Sequence, residues 1–93
     1  MDNVERHRFL CAEINDLYKK KNADYGNSFH DFFIEYGMAM PCIRLSDKLS
    51  RFKSLTKNGS QNVDDESLRD TLIDLANYAL MTVMEIDARE VEK

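Results

Sequence analysis

Three glycines and one proline in 93 residues leave this chain few places to turn. An all-β fold needs tight turns throughout, and Gly and Pro are the residues that most often make them. The expectation is an all-α fold: one domain spanning residues 1–93, built as a four-helix bundle. Helical spacing of Phe9, Leu10, Ile14, Leu17 and Tyr18 predicts a first helix from about Val4 to Lys21. Asp2 or Asn3 is placed to cap it. Lys19-Lys20-Lys21 would close it, with positive charge at the negative end of the helix dipole. Asn22 to Ser28 reads as a connection in which Gly26 and Asn27 suit positive φ and Ser28 caps the next helix. An aromatic helix over Phe29–Tyr36 should end at Gly37. A third helix begins between Met38 and Pro41, since proline is tolerated in a first turn, and continues to Leu55 or Lys57. Asn58-Gly59-Ser60 breaks the chain within a polar, mobile loop, and Asp64 or Asp65 caps a last helix running to about Glu90.

That last helix sets a second constraint. Leu72, Ile73, Leu75, Ala76, Tyr78, Ala79, Leu80, Met81, Val83, Met84 and Ile86 cover most of its circumference. A helix apolar nearly all round must be buried on several sides. Three companions in so short a chain can hardly do this. A second copy of the chain, related by two-fold symmetry, is therefore expected against it, as a dimer or tetramer.

Charge and composition exclude other classes. A net charge of -4 and a pI near 5.1 argue against a general grip on nucleic acid. No run of 18 apolar residues occurs, and Met1-Asp2-Asn3-Val4-Glu5 carries no basic-then-apolar leader. A cytoplasmic chain with no membrane partner is expected. Cys11 and Cys42 are too few for a disulfide framework and are expected reduced and packed as small apolar groups. His7 and His30 have no sequence partner and read as ordinary helix or loop residues. No Gly-rich phosphate loop and no nucleophile–base pair stands out.

The informative residues interrupt the apolar helix. Glu66, Asp70, Asp74 and Asn77 fall on one helical face. Carboxylates one turn apart repel unless a cation lies between them. Such a row suits Mg²⁺, which takes a few carboxylate oxygens, keeps waters and binds substrate phosphates. Mn²⁺ is an alternative. The preceding helix offers Asp47 as a further oxygen ligand, with Arg44, Lys48 and Arg51 beside it at i, i+4 and i+7. Acids for a metal and bases for phosphate oxygens make a consistent set. The same residues also suit plain ion pairs, with Asp70 meeting Arg44 or Arg51 across a helix interface, or Arg69 locally.

Three blocks carry a family resemblance: Lys21-Asn22-Ala23-Asp24-Tyr25-Gly26-Asn27-Ser28-Phe29, Arg44-Leu45-Ser46-Asp47-Lys48-Leu49-Ser50-Arg51, and Glu66 through Asp70-Thr71-Leu72-Ile73-Asp74-Leu75-Ala76-Asn77-Tyr78. In this order they resemble the nucleotide modification associated domain, type one, of phages and bacteria. That family is similar in turn to the all-α MazG-like and dimeric dUTPase pyrophosphohydrolases. These are Mg²⁺-dependent helical oligomers that cleave NTPs or dNTPs to a monophosphate and pyrophosphate, with E-x-x-E on one helix and E-x-x-D on the next. Here Arg44 and Asp47 stand where the first acidic pair would be, and Glu66, Asp70 and Asp74 replace the second with a shifted row. Glu13 and Asp16 form an E-x-x-D on the first helix.

The resemblance implies catalysis by Asp70, Asp74 and Asp47, and a metal held by Asp47, Glu66, Asp70 and Asp74. It implies a nucleotide contacted by Lys21, Asp24, Tyr25, Arg44, Lys48, Arg51 and Asn77, with Tyr25 and Phe29 stacking on its base. Two functions stay open at this stage. One is a nucleotide pyrophosphohydrolase. The other is a non-catalytic helical oligomer serving a base-modification pathway.

Overall fold

The computed structural model describes residues 1–25, 27–57 and 65–91; Gly26, residues 58–64 and the last two residues lie outside it, as do the side chains of residues 24, 25, 65, 90 and 91. Four helices make up the described chain: α1 (Asn3–Tyr25), α2 (Ser28–Tyr36), α3 (Ala39–Lys57) and α4 (Asp65–Val91). The all-α expectation holds. No described helix is long and apolar enough to cross a membrane.

Local chemistry explains most boundaries. The Asp2 carboxylate accepts the Glu5 N–H at 2.8 Å and caps α1. Gly37 ends α2 at φ 68° and ψ -155°, a conformation strained for side chains with a Cβ, and its N–H donates to the Phe33 carbonyl at 2.8 Å. Pro41 stands in the first turn of α3, where a missing N–H leaves no helical bond unmade.

Two boundaries differ from expectation. α1 continues past Lys21 to Tyr25, because Asn22, Ala23, Asp24 and Tyr25 carry only modest helix penalties and no breaker precedes Gly26. The lysine run is thus a turn short of the helix end and does not sit at its terminus. Asn27 is the N-cap residue of α2, with φ -100° and no side-chain capping bond, so Ser28 is the first helical residue instead of the cap. The predicted break at Asn58-Gly59-Ser60 and the Asp64 cap lie outside the described residues, as does the turn at Gly26.

α3 and α4 form the main helix pair, α2 packs on both, and α1 leans on α4. Two cross-links, Glu13 to Arg69 and Lys21 to Asp74, ascend together, so α1 and α4 run in the same general sense. Among the described residues the buried side chains are Ile14, Phe33, Met40 and Pro41, with Thr71 and Asn77 as buried polar residues. Cys11 and Cys42 are exposed free thiols and do not pack as expected: both helices present those positions to the outside. Cys11 instead touches His7 Nδ1 at 3.6 Å.

The single chain is open. It exposes 7275 Å², where a compact chain of this mass would expose about 5,600 Å². Its radius of gyration is 15.2 Å, against about 12 Å for a compact domain of this length. Leu80, Val83 and Met84 on α4 are half exposed, and Phe9 of α1 is 63% exposed. The face that required a cover in the sequence has none within the described chain.

Candidate functional site

α4 carries the site because its polar residues recur on one face through several turns. Asp74, Asn77, Tyr78, Met81 and Glu85 line a cavity of about 420 Å³, closed from the other side by Tyr18, Lys21 and Asn22 of α1, by Phe29 and His30 of α2, and by Arg44 of α3. Phe29 and Tyr78 stack across it, ring centroids 6.1 Å apart and planes 29° from parallel. Asn77 is only 6% exposed, yet its amide lines the cavity and has no protein hydrogen-bond partner among the described residues. No side-chain nitrogen or oxygen among the described residues is both buried and unpartnered, so the Asn77 amide opens to the cavity and keeps its donors and acceptors available there.

A second, more polar trench of about 640 Å³ runs between α3 and α4. Its walls include Asp47, Lys48 and Arg51 of α3 with Ser67, Asp70, Thr71 and Asp74 of α4. Asp74 belongs to both cavities and joins them. Its carboxylate lies 3.7 Å from the Lys21 ammonium and 3.4 Å from that of Lys48. The two cations therefore meet on one half-buried acid. Arg44 stands in the same cavity wall as Asp74 and Lys21, which leaves positive charge in excess at this end.

The expected residues thus divide. Lys21, Arg44, Asp74 and Asn77 share the aromatic cavity; Asp47, Lys48, Arg51, Asp70 and Asp74 share the trench. Glu66 is exposed and lines neither. The side chains of Asp24 and Tyr25 lie outside the described residues. The ion pairs also differ from those expected. Asp74, and not Asp70, bridges the helices, through lysines instead of arginines. Arg69 reaches across to α1 and donates to both oxygens of Glu13 at 2.6 Å. These bonds hold the Glu13 carboxyl below its ordinary range and the Arg69 guanidinium above its own. Glu13 is therefore a structural clamp on α1 and lines neither cavity.

One pair that lines the cavity escapes sequence reasoning. His30 Nδ1 lies 2.8 and 3.0 Å from the two oxygens of Glu85, at the far end of the aromatic cavity. Glu85 extends the Asp74–Asn77–Tyr78–Met81 row by one more turn, so the spacing could have found it. Its histidine partner lies 55 residues away and leaves no local signal.

The resemblance implies Mg²⁺. Among the described residues no three His, Cys, Asp or Glu side chains gather as a ready-made metal cage. Mg²⁺ does not require one: it binds through one or two carboxylates when phosphates and waters supply the remaining oxygens. One or two of Asp47, Asp70 and Asp74, which all line the trench, fit that mode.

The nucleotide modification associated domain 1 family matches residues 21–86 of the chain. The protein belongs to this family. The match begins at Lys21 and ends just beyond Glu85, so it takes in the trench and, apart from Tyr18, the lining of the aromatic cavity. No curated protein and no solved structure matches the chain.

Proposed function

We propose that this family member binds a nucleoside triphosphate across the two cavities and acts on it as a Mg²⁺-dependent pyrophosphohydrolase. The substrate is an NTP or dNTP, modified bases included, in phage or bacterial nucleotide metabolism in the cytoplasm. The observation that carries the reading is Asp74, which joins an aromatic cavity to a polar trench under Lys21 and Lys48. The base and sugar would occupy the aromatic cavity, where Phe29 and Tyr78 offer π faces and Asn77 offers amide hydrogen bonds. Phosphates would pass Lys21 and Arg44 into the trench, toward Lys48 and Arg51. One or two carboxylates among Asp47, Asp70 and Asp74 would hold Mg²⁺ together with phosphate oxygens and waters, and the ion would supply charge neutralisation and an activated water at the phosphate chain. The cations would stabilise charge that develops on the leaving pyrophosphate.

The open surface supports a homo-oligomer. The area above the compact expectation is roughly twice the 800 Å² that one partner buries in a standard interface.

The second reading is a nucleotide-binding accessory subunit without catalysis. It is favoured by the same two lysines, which hold Asp74 as an ion pair, and by the lack of a three-acid cluster among the described residues. Incubation with each NTP and dNTP in Mg²⁺ separates the two. The enzyme releases monophosphate and pyrophosphate, and Asp70→Asn or Asp74→Asn abolishes release in a folded protein. Nucleotide binding with no product from any of them establishes the accessory role.

A further inference from the structure

The aromatic cavity has two chemically different ends. Asp74, with Lys21 and Arg44, marks one; Glu85, paired with His30, marks the other. The two acids stand eleven positions apart on α4, about 16.5 Å at the helical rise. Phe29 and Tyr78 stand between. If phosphates take the cationic end, the base points toward Glu85. On the nucleotide-binding reading, we propose that Glu85, set by His30, selects bases that carry an exocyclic amino group over their keto counterparts.

The chemistry rests on what a carboxylate can do. An ionised Glu accepts hydrogen bonds and donates none, with about four lone-pair positions on its two oxygens. The single His30 Nδ1 is shared between both oxygens and leaves acceptor capacity on each. The Glu85 side chain is only 13% exposed, so water screens it poorly. An amino group presents two N–H donors to it. A carbonyl in the same place sets oxygen against oxygen, and a site built for a donor rejects the analogue that lacks it. Cytosine is therefore preferred to uracil, and adenine to hypoxanthine. The members of each pair differ at the one amino-to-keto position and its ring nitrogen.

The test is calorimetric titration of the full chain in Mg²⁺ with α,β-methylene analogues of CTP, UTP, ATP and ITP, which resist pyrophosphate release. Wild type should bind the amino member of each pair at least about tenfold more tightly, as expected for one hydrogen bond to a charged group. Glu85→Gln, whose amide can donate to a carbonyl, should bring both ratios near one or reverse them. Should that variant not fold, Glu85→Asp, which withdraws the carboxylate by one methylene, must also shrink the ratios. Equal binding of all four analogues by wild type overturns the selectivity and leaves the nucleotide-binding reading standing. A preference that survives in the folded variant overturns its assignment to Glu85 and likewise leaves that reading standing. Binding of none of the four overturns both.

Discussion

Replacing Asp74 with Asn removes one negative charge and keeps the shape of the side chain, so its effects separate into two magnitudes. Asp74 is 28% exposed on its side chain and faces ammonium groups at 3.4 and 3.7 Å. Two partly exposed ion pairs are worth about 0.2–1 kcal/mol each, so the stability loss should be about 1 kcal/mol. For a chain of this size that lowers Tm by roughly 4–8 °C. The ligand effect runs the other way. A phosphate held by the same lysines would lie about 5 Å from the Asp74 charge, and Coulomb's law with a dielectric of about 20–80 gives roughly 1–3 kcal/mol of repulsion. Removing that repulsion should tighten binding of metal-free inorganic triphosphate about 5- to 150-fold. Mg²⁺ should strengthen triphosphate binding to wild type and do so far less in the variant, which has lost a metal ligand. Calorimetry of triphosphate in EDTA and in Mg²⁺, on both proteins, measures all of this. A variant that binds metal-free triphosphate no more tightly than wild type would refute the phosphate site around Asp74. A variant that keeps the full Mg²⁺ enhancement would remove Asp74 from the metal ligands.

Other outcomes rest on single contacts. Phe29→Ala should weaken nucleotide binding by about 1–3 kcal/mol through lost stacking, while inorganic triphosphate binds as before, both read by calorimetry. Gly37→Ala meets no atom within 4 Å at its new Cβ, so its loss of about 1–3 kcal/mol, seen in chemical denaturation, would come from backbone strain at φ 68° alone. Glu13→Gln should lower Tm at pH 7. Because Arg69 lowers the folded-state pKa of Glu13, the difference from wild type should be complete above the ordinary carboxylate pKa and fade as pH falls through the lowered one. Sedimentation equilibrium should give a dimer or a larger even assembly, and a monomer at micromolar concentration would contradict the proposal that a second copy covers the α4 face.

The elements were legible because the signals that end helices are local. Asp2, Gly37 and Pro41 act on their own neighbours, and each does in the structure what its position in the chain implies. The site was legible by halves. Spacing placed Asp47, Lys48 and Arg51 on one helix and Asp70 and Asp74 on the next, and the trench brings these together. Spacing could not say which cation meets which acid. Lys21 finds Asp74 and Glu13 finds Arg69 because of how α1 lies on α4, and that depends on the whole packed chain. His30 shows the same limit: a solitary histidine in sequence becomes half of a cavity pair through the placement of α2. The reading of Lys19-Lys20-Lys21 as a dipole complement failed for a simpler reason, since the helix continues to Tyr25.

The most direct test of the nucleotide site is a melting-temperature panel with Mg²⁺ and each common NTP and dNTP, run on wild type and on Lys21→Ala. Binding at 100 times Kd stabilises the folded state by about 2.7 kcal/mol, a rise of roughly 10–20 °C for a chain of this size. The account predicts such a rise with at least one nucleotide, dependent on Mg²⁺ and largely lost in Lys21→Ala. A Tm that no nucleotide raises at millimolar concentration, with or without Mg²⁺, would contradict it.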